Sequence, residues 1–260
     1  MRRRIVLAAT TAALCAACSP TDSPQSANTP TPTDVVQSAV TATTHTSARI
    51  NATLELTADG TTSYHIQTQG SLDMAADRGR LDVRLIEGSN RAEELLVGDK
   101  IYVRNVEPEG VDHTWAVATR HAAEAHYLLR APLNDPEHTL VQIARMRNAR
   151  NMGKDTVNGT QATRYSGNLD HKTLTLRMAK KTRQKLDDLR DSYGRDLPVA
   201  AEAWVDAQGR LVQARLALKD KQQALATLTL ALSDLGKPVR VTQPTHASTL
   251  DTTTGNLMSG

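Results

Sequence analysis

Cys15 and Cys18, the two cysteines of this chain, lie near its start, within a segment of three zones. Arginines at positions 2–4 precede an apolar run over residues 5–13, which is shorter than the roughly 18 residues that a membrane-spanning helix needs. Two small residues, Ala16 and Ala17, stand directly before Cys18, as lipoprotein signal peptidase requires before a cysteine that carries diacylglycerol. We therefore predict that residues 1–17 are a signal peptide and that an acylated Cys18 begins the mature chain.

Acylation of Cys18 would hold the protein on the extracytoplasmic face of the cell membrane. One acyl chain binds a bilayer reversibly, whereas two or three hold a protein there. An ordinary secretory signal with incidental cysteines stays the alternative, and the arginines leave both Sec and twin-arginine export open. Because neither cysteine would belong to the folded domain, we expect no disulfide, cysteine nucleophile or zinc–thiolate site in it.

The other residues that could do chemistry form no recognisable constellation. Among eight histidines, His121 and His126 are five positions apart, which is the wrong spacing for two metal ligands on one helical face. The acid pairs Glu93-Glu94 and Asp187-Asp188 lie in segments typical of a solvated surface. No serine occupies a nucleophile elbow, and no glycine-rich phosphate loop opens a helix. We predict a protein that is not an enzyme and has no cofactor and no metal site.

Charge excludes one class of partner. The chain has 31 basic and 28 acidic residues, and removal of residues 1–17 takes away three arginines and no acid. The mature chain would therefore be neutral, and the pI of about 8.9 is a property of the precursor. We expect no nucleic-acid partner.

Composition divides the chain into segments. Residues 19–33 are mostly Ser, Thr and Pro, which cannot bury enough apolar surface to fold and favour an extended stalk. Residues 243–260 form a similar polar tail, predicted to be disordered. Residues 34–242 have the size of a single domain.

Strands dominate the predicted domain. Asn158-Gly159 separates two alternating segments and is a strong hairpin signal. Such period-two segments predict ten or eleven strands, mostly joined by hairpins. They cover residues 48–56, 64–72, 81–85, 93–97, 101–104, 154–157, 160–167, 199–206, 210–218, 224–232 and 239–241. The pattern predicts an α+β fold in which a large curved antiparallel sheet packs on two or three helices.

Three segments favour helices. They are residues 34–44, a helix that begins at Asp135-Pro136, and residues 172–193, with a weaker signal at 119–130. The last main helix should end at Gly194. It has five basic residues on its outer side: Lys180, Lys181, Arg183, Lys185 and Arg190. Such a run is commonly a solvated helix face, and the functional alternative is contact with anionic lipid headgroups.

The absence of Phe from the sequence bears on the interior. A sheet of this size usually fills its inner face with aromatic rings, but here the inward positions are Ala, Val, Leu, Ile and Gly. Composition alone favours a core filled by small side chains. The alternative is an apolar cavity.

Several motifs, in order, resemble the actinobacterial LppX/LprA/LprF/LprG lipoprotein family. They are residues 98–103 (GDKIYV) with Trp115 downstream, 153–159 (GKDTVNG), 164–167 (RYSG), 197–199 (LPV), 204–205 (WV), 209–212 (GRLV), 232–236 (LSDLG) and 239–244 (VRVTQP). With the lipid signal and the stalk, the likeness covers residues 1–245. The resemblance implies a half-barrel similar to that of LolA and LolB, in which an apolar cavity holds acylated lipids or glycolipids for transport or presentation in the cell envelope.

On this basis we predict a cavity lined by the inward-facing residues. They are Leu54, Leu56, Ile66, Leu72, Leu81, Val83, Leu85, Leu95, Val97, Ile101, Val103, Leu140, Ile143, Leu228 and Leu230. A shift of one residue in strand phase would move a whole row to the other face. The alternative is a non-catalytic regulatory lipoprotein with a filled core that binds another envelope protein.

Overall fold

The computed structural model describes residues 29–58, 62–107, 114–121, 124, 129, 135–220 and 223–249. Cys18, the predicted signal peptide and most of the predicted stalk lie outside the described residues. So does most of the weaker helix signal at residues 119–130.

Within the described ranges, twelve strands form one sheet, because each alternating segment pairs with its neighbours along the backbone. The strands are β1 (Ser47–Ala58), β2 (Thr62–Asp73), β3 (Arg78–Leu85), β4 (Arg91–Val97), β5 (Lys100–Glu107), β6 (Ala116–Thr119), β7 (Arg147–Val157), β8 (Thr160–Leu169), β9 (Val199–Asp206), β10 (Leu211–Asp220), β11 (Gln223–Ser233) and β12 (Ser248–Thr249). Their order is β12-β6-β5-β4-β3-β2-β1-β11-β10-β9-β8-β7. Two antiparallel meanders, β1–β6 and β7–β11, therefore join where β1 pairs with β11.

The hairpin between β7 and β8 turns at the predicted dipeptide. Asn158 and Gly159 both have positive φ, 49° and 79°, as the tight turns that match strand twist require. β9 and β10 turn in the same way near Gly209, whose φ is 74°. The hairpins predicted from these sequences are confirmed.

The part of the chain that the structure describes also contains four helices: α1 (Pro32–Thr44), α2 (Pro136–Ala144), α3 (His171–Leu174) and α4 (Lys180–Tyr193). Thr31 and Asp34 form a capping box before α1, and Asp135 caps α2 as its sequence predicts. The helix predicted over 172–193 is two helices, because Arg177 adopts a left-handed φ of 52° between them. α4 ends at the left-handed Gly194, as expected.

All four helices contribute to a core on one face of the sheet, here called the inner face. α1 and α2 pack on each other and chiefly against β7, β9 and β10. Val40 of α1, Ile143 of α2, Leu174 of α3 and Leu186 of α4 belong to one apolar cluster with the inward side chains of the strands. The predicted α+β half-barrel is confirmed.

The segment after β11 departs from the prediction. Residues 239–241 form no strand, although their alternation predicted one. Pro238, Val239 and Arg240 instead border a groove with Ser71 and Arg80 on the opposite, outer face of the sheet. The chain then reaches the far edge, where β12 pairs in parallel with β6 and Ser248 N donates to the carbonyl of Trp115 at 2.9 Å. The sheet thus includes residues beyond 242, the predicted end of the domain. We name residues 234–249 the C-terminal strap.

Candidate functional site

The inner face of the sheet is a largely apolar surface that also includes the buried polar side chains of Thr68 and Glu94. Cross-strand partners such as Leu54 and Ile66, or Leu54 and Leu228, point to the same side because directly paired residues share a face. All but two of the predicted lining residues lie on this face or on α2 opposite it. They are Leu54, Leu56, Ile66, Leu72, Leu81, Val83, Leu85, Ile101, Val103, Leu140, Ile143, Leu228 and Leu230.

Leu95 and Val97 lie on the outer face, so the strand phase predicted for β4 was wrong. Leu95 pairs with Arg80 and Tyr102, and Val97 pairs with Arg78 and Lys100. Leu95, Leu96 and Val97 are all apolar, so that alternation alone could not assign the phase of β4. The inward residues of the strand are Ala92, Glu94 and Leu96.

Two arginines bind the side chain of Glu93 on the outer face of β4. On the outer face its carboxylate pairs with Arg80 and accepts a hydrogen bond from Arg104 Nε at 2.7 Å. Arg104 in turn stacks over Trp115, with 4.7 Å between its guanidinium carbon and the ring centre. The pKa of Glu93 is lowered because the hydrogen bonds and charges of Arg104 and Arg80 outweigh the desolvation that opposes them.

Glu94 places a carboxyl group within the apolar face. It is 0 % exposed and pairs across the sheet with Leu81 and Val103. The prediction that Glu93-Glu94 is a solvated pair was wrong, since both side chains are buried. Adjacent residues of a strand point to opposite faces, so the sequence contained a signal that one of them faces inward.

The apolar face reaches solvent at one end of β1, β2 and β3. Leu56 and Leu85 are only partly buried, and Tyr64, which pairs with Leu56, is 43 % exposed. We name Leu56, Tyr64 and Leu85 the apolar rim. Deeper in the same face, Leu54 and Leu81 are 0 % exposed, so these two side chains are fully covered.

A buried ion cluster joins the end of β6 to the start of α2. Arg120 is 2 % exposed, and its guanidinium makes two hydrogen bonds with Asp135, at 2.6 and 2.8 Å. It also lies 3.0 Å from Glu137 and 3.4 Å from Asp77. Burial, helped by the nearby charge of Asp135, raises the pKa of Glu137 to about 7 despite Arg120.

The pKa of His138, the next residue of α2, is shifted in the opposite direction. It is 4 % exposed, and burial together with the charge of Arg177 lowers its pKa to about 4. Sequence spacing could not find this cluster, because Arg120 and Asp135 lie on either side of a segment without a clear period.

The described part of the chain lacks two features that other functions would need. It contains no group of three or more His, Cys, Asp or Glu side chains arranged to hold a metal ion. Its helices are also too short or too polar for any of them to cross a bilayer.

Sequence comparison assigns the family. The model of the LppX_LprAFG lipoproteins matches residues 31–241, which include every helix and all strands but β12. The chain belongs to the LppX_LprAFG family. The resemblance predicted from its motifs is thus confirmed. No curated protein matches the chain by sequence.

Two solved lipoprotein structures are similar to this chain at low sequence identity. Mycobacterium tuberculosis LppX is 14 % identical, with a TM-score of 0.50 over 81 % of this chain and 98 % of LppX. Mycobacterium bovis LprF is also 14 % identical, with a TM-score of 0.48 over 83 % of this chain and 98 % of LprF. At 14 % identity, the likeness to LppX establishes only the fold of this chain.

Proposed function

We propose that this protein binds the acyl chains of a lipid or glycolipid between the inner face of its sheet and its helices. The observation that carries the proposal is the largely apolar inner face, which reaches solvent at the apolar rim. An acyl chain that leaves water for such a surface gains about 0.8 kcal/mol per buried methylene, so roughly ten buried methylenes supply the ~8 kcal/mol of micromolar binding.

Binding requires the interior to open. Leu54, Leu81 and Leu96 have no exposed surface, so an acyl chain must separate the sheet from what covers it. α1 and α2 pack chiefly against β7, β9 and β10. The inner face of β2–β5 is therefore the part that α1 and α2 cover least. An acyl chain reaches it with the smallest displacement of these two helices.

The predicted acyl anchor fits this role. Cys18 would tether the domain through residues 19–33 to the membrane that supplies or receives the lipid, so that transport or presentation takes place within the cell envelope. We propose no catalytic step, because binding and release of acyl chains need none.

A second function is favoured by the same fully covered side chains. If the groups that cover Leu54, Leu81 and Leu96 never separate from them, these side chains belong to a permanently filled core. The protein would then act as a regulatory lipoprotein that binds another envelope protein through its surface.

Lipid extraction separates the two functions. We would replace residues 1–18 by a secretory signal with an ordinary cleavage site, export residues 19–260 from an actinobacterial host, purify them without detergent, extract them with organic solvent and identify lipids by mass spectrometry. Lipid binding predicts co-purifying acylated lipid in a fixed ratio to protein. Absence of lipid would overturn this function and favour the regulatory one.

Substitution at the rim tests the location. Tyr64→Glu places a carboxylate where acyl chains would pass, and we expect the recovered lipid to fall about tenfold, because desolvating that charge costs at least 1.4 kcal/mol. Met152→Glu is the matched control, since Met152 is 55 % exposed on the edge strand β7. An equal loss in both variants would contradict admission at the rim.

A further inference from the structure

The first half of α4 has a group of basic side chains that the rest of the domain does not neutralise. Lys180, Lys181, Arg183 and Lys185 are all exposed. At 1.5 Å of rise per residue, they lie within about 8 Å along the helix axis. Among the described residues, no acidic side chain lies within ion-pair distance of the three lysines, and these lysines make no hydrogen bond there.

The acidic residues of α4 do not compensate for this group. Asp187 accepts a hydrogen bond from His171 Nε2 at 2.6 Å, and Arg190 lies 2.7 Å from Asp191. Asp188 accepts from Gln184 at 2.8 Å. The acids are therefore engaged locally, whereas the lysines face solvent.

Helix stability does not explain the arrangement. The start of a helix is the positive end of its dipole and favours acids, yet the first turn of α4 has none and begins with two lysines. Ala179 also provides no side-chain cap. The helix thus retains a charge pattern that costs stability at its N-terminal end.

The position of α4 relates this group to the predicted tether. Gln142 of α2 donates to the carbonyls of Thr173 and Leu174 in α3, and His171 of α3 bonds to Asp187 of α4. Because α1 packs on α2, the helices form a connected layer. The chain enters this layer at α1, so the tether and the basic group belong to the same layer of the domain.

We propose that the basic group of Lys180, Lys181, Arg183 and Lys185 docks the domain on an anionic membrane surface. Anionic headgroups complement the three lysines and Arg183, whose guanidinium donates to the carbonyl of Met178 at 3.1 Å but pairs with no acid among the described residues. Each cation near such a surface strengthens binding about fivefold. Docking holds the helical layer against the bilayer, whereas the tether alone only limits its distance. The inference does not depend on whether the interior holds a lipid.

Vesicle sedimentation tests this inference. The chain from residue 18 onward, with Cys18→Ser so that no acyl chain contributes, is mixed with vesicles of phosphatidylcholine containing about one-third phosphatidylglycerol. We expect binding to these vesicles in low salt, little binding in 0.5 M salt, and none to pure phosphatidylcholine. Failure of the parent chain to bind the anionic vesicles would overturn the inference and leave α4 as a surface for a protein partner.

A pair of triple variants with equal charge change assigns the surface. Substitution of Lys180, Lys181 and Lys185 by Gln should weaken vesicle binding about a hundredfold. Substitution of Lys100, Lys154 and Lys219 by Gln removes the same charge from exposed strand positions and should change binding less than fivefold. Equal losses would show that only net charge matters and would contradict docking through α4. Thermal unfolding of both variants verifies that each is folded.

Discussion

At the scale of single residues, the ion cluster around Arg120 places a charged group where water cannot stabilise it. A guanidinium that is 2 % exposed has lost its water and depends on Asp135, Glu137 and Asp77 for compensation. Asp135 also caps α2, so the same carboxylate orients the guanidinium and fixes the start of the helix.

Removal of the guanidinium should therefore be costly. We expect Arg120→Gln to lower the free energy of unfolding by about 3–5 kcal/mol, because buried carboxylates lose their counter-charge. Denaturant titration measures the change. Arg190→Gln on α4, which breaks an exposed pair with Asp191, should cost less than about 1 kcal/mol. A cost below that of the control would contradict a structural role for the cluster.

Adjacent residues of α2 should give opposite pH dependences of stability. Glu137, with its pKa raised from 4.5 to about 7, binds more protons in the folded state, so its contribution to stability falls as pH rises from about 4.5 to 7. His138, with its pKa lowered from 6.5 to about 4, binds fewer, so its contribution rises from about pH 4 to 6.5. In the parent chain the two slopes oppose each other.

Single substitutions should separate the slopes. Between pH 4.5 and 6.5, we expect Glu137→Gln to increase the gain of stability with pH and His138→Gln to reverse it, each by up to about 1.4 kcal/mol per pH unit. Denaturant midpoints across this range measure both. Parallel profiles for the parent and both variants would refute the two pKa shifts.

Sequence could predict inward residues where alternation is unambiguous. Leu54, Leu81 and Leu228 each stand between polar neighbours, and all three lie on the inner face. It could not assign Leu95, because Leu96 beside it is equally apolar, nor could it find Glu94, whose neighbour Glu93 is also acidic. In both cases the phase depends on pairs across the sheet that a single strand does not encode.

At the scale of elements, the two edges of the sheet are protected differently. β7 has register shifts along its pairing with β8 and exposes charged residues such as Arg150 and Lys154, features that discourage pairing with another chain. β6 is covered instead by β12, a pairing of only two residues at the end of the C-terminal strap.

Truncation of the C-terminal strap should leave β6 as an unpaired edge strand. We expect a chain that ends at residue 243 to form dimers or aggregates, because β6 then presents unpaired N–H and C=O groups. Light scattering after size exclusion measures this. A chain that ends at Thr249 keeps β12 and should have the mass of the parent. The same mass for both truncations would contradict a protective role for β12.

Short sequence patterns predicted most helices, strands and turns. The features that they did not predict depend on contacts between residues far apart in the sequence. The Asn158-Gly159 turn, the Asp135 cap and the Gly194 end each depend on a few consecutive residues, and each is confirmed. The break at Arg177 and the path of the strap across the outer face depend on contacts far along the chain, so no local pattern predicted them.

At the scale of the whole molecule, the family match and the fold point to the same architecture, while Leu54, Leu81 and Leu96 are fully covered in this structure. Membership of the LppX_LprAFG family was predictable from the ordered motifs, and the family model matches residues 31–241. Whether the interior opens was not predictable, since Ala, Val and Leu fill a core as readily as they line a cavity.

The central pairing of β1 with β11 also constrains when the molecule can fold. Arg49 faces Ser233 across this seam, so the two meanders cannot unite until almost the entire chain has been synthesised. Contacts between such distant residues make folding slow. A chain that is still incomplete at the ribosome therefore stays without its seam, and its two meanders remain separate units until the strand that ends at Ser233 has emerged.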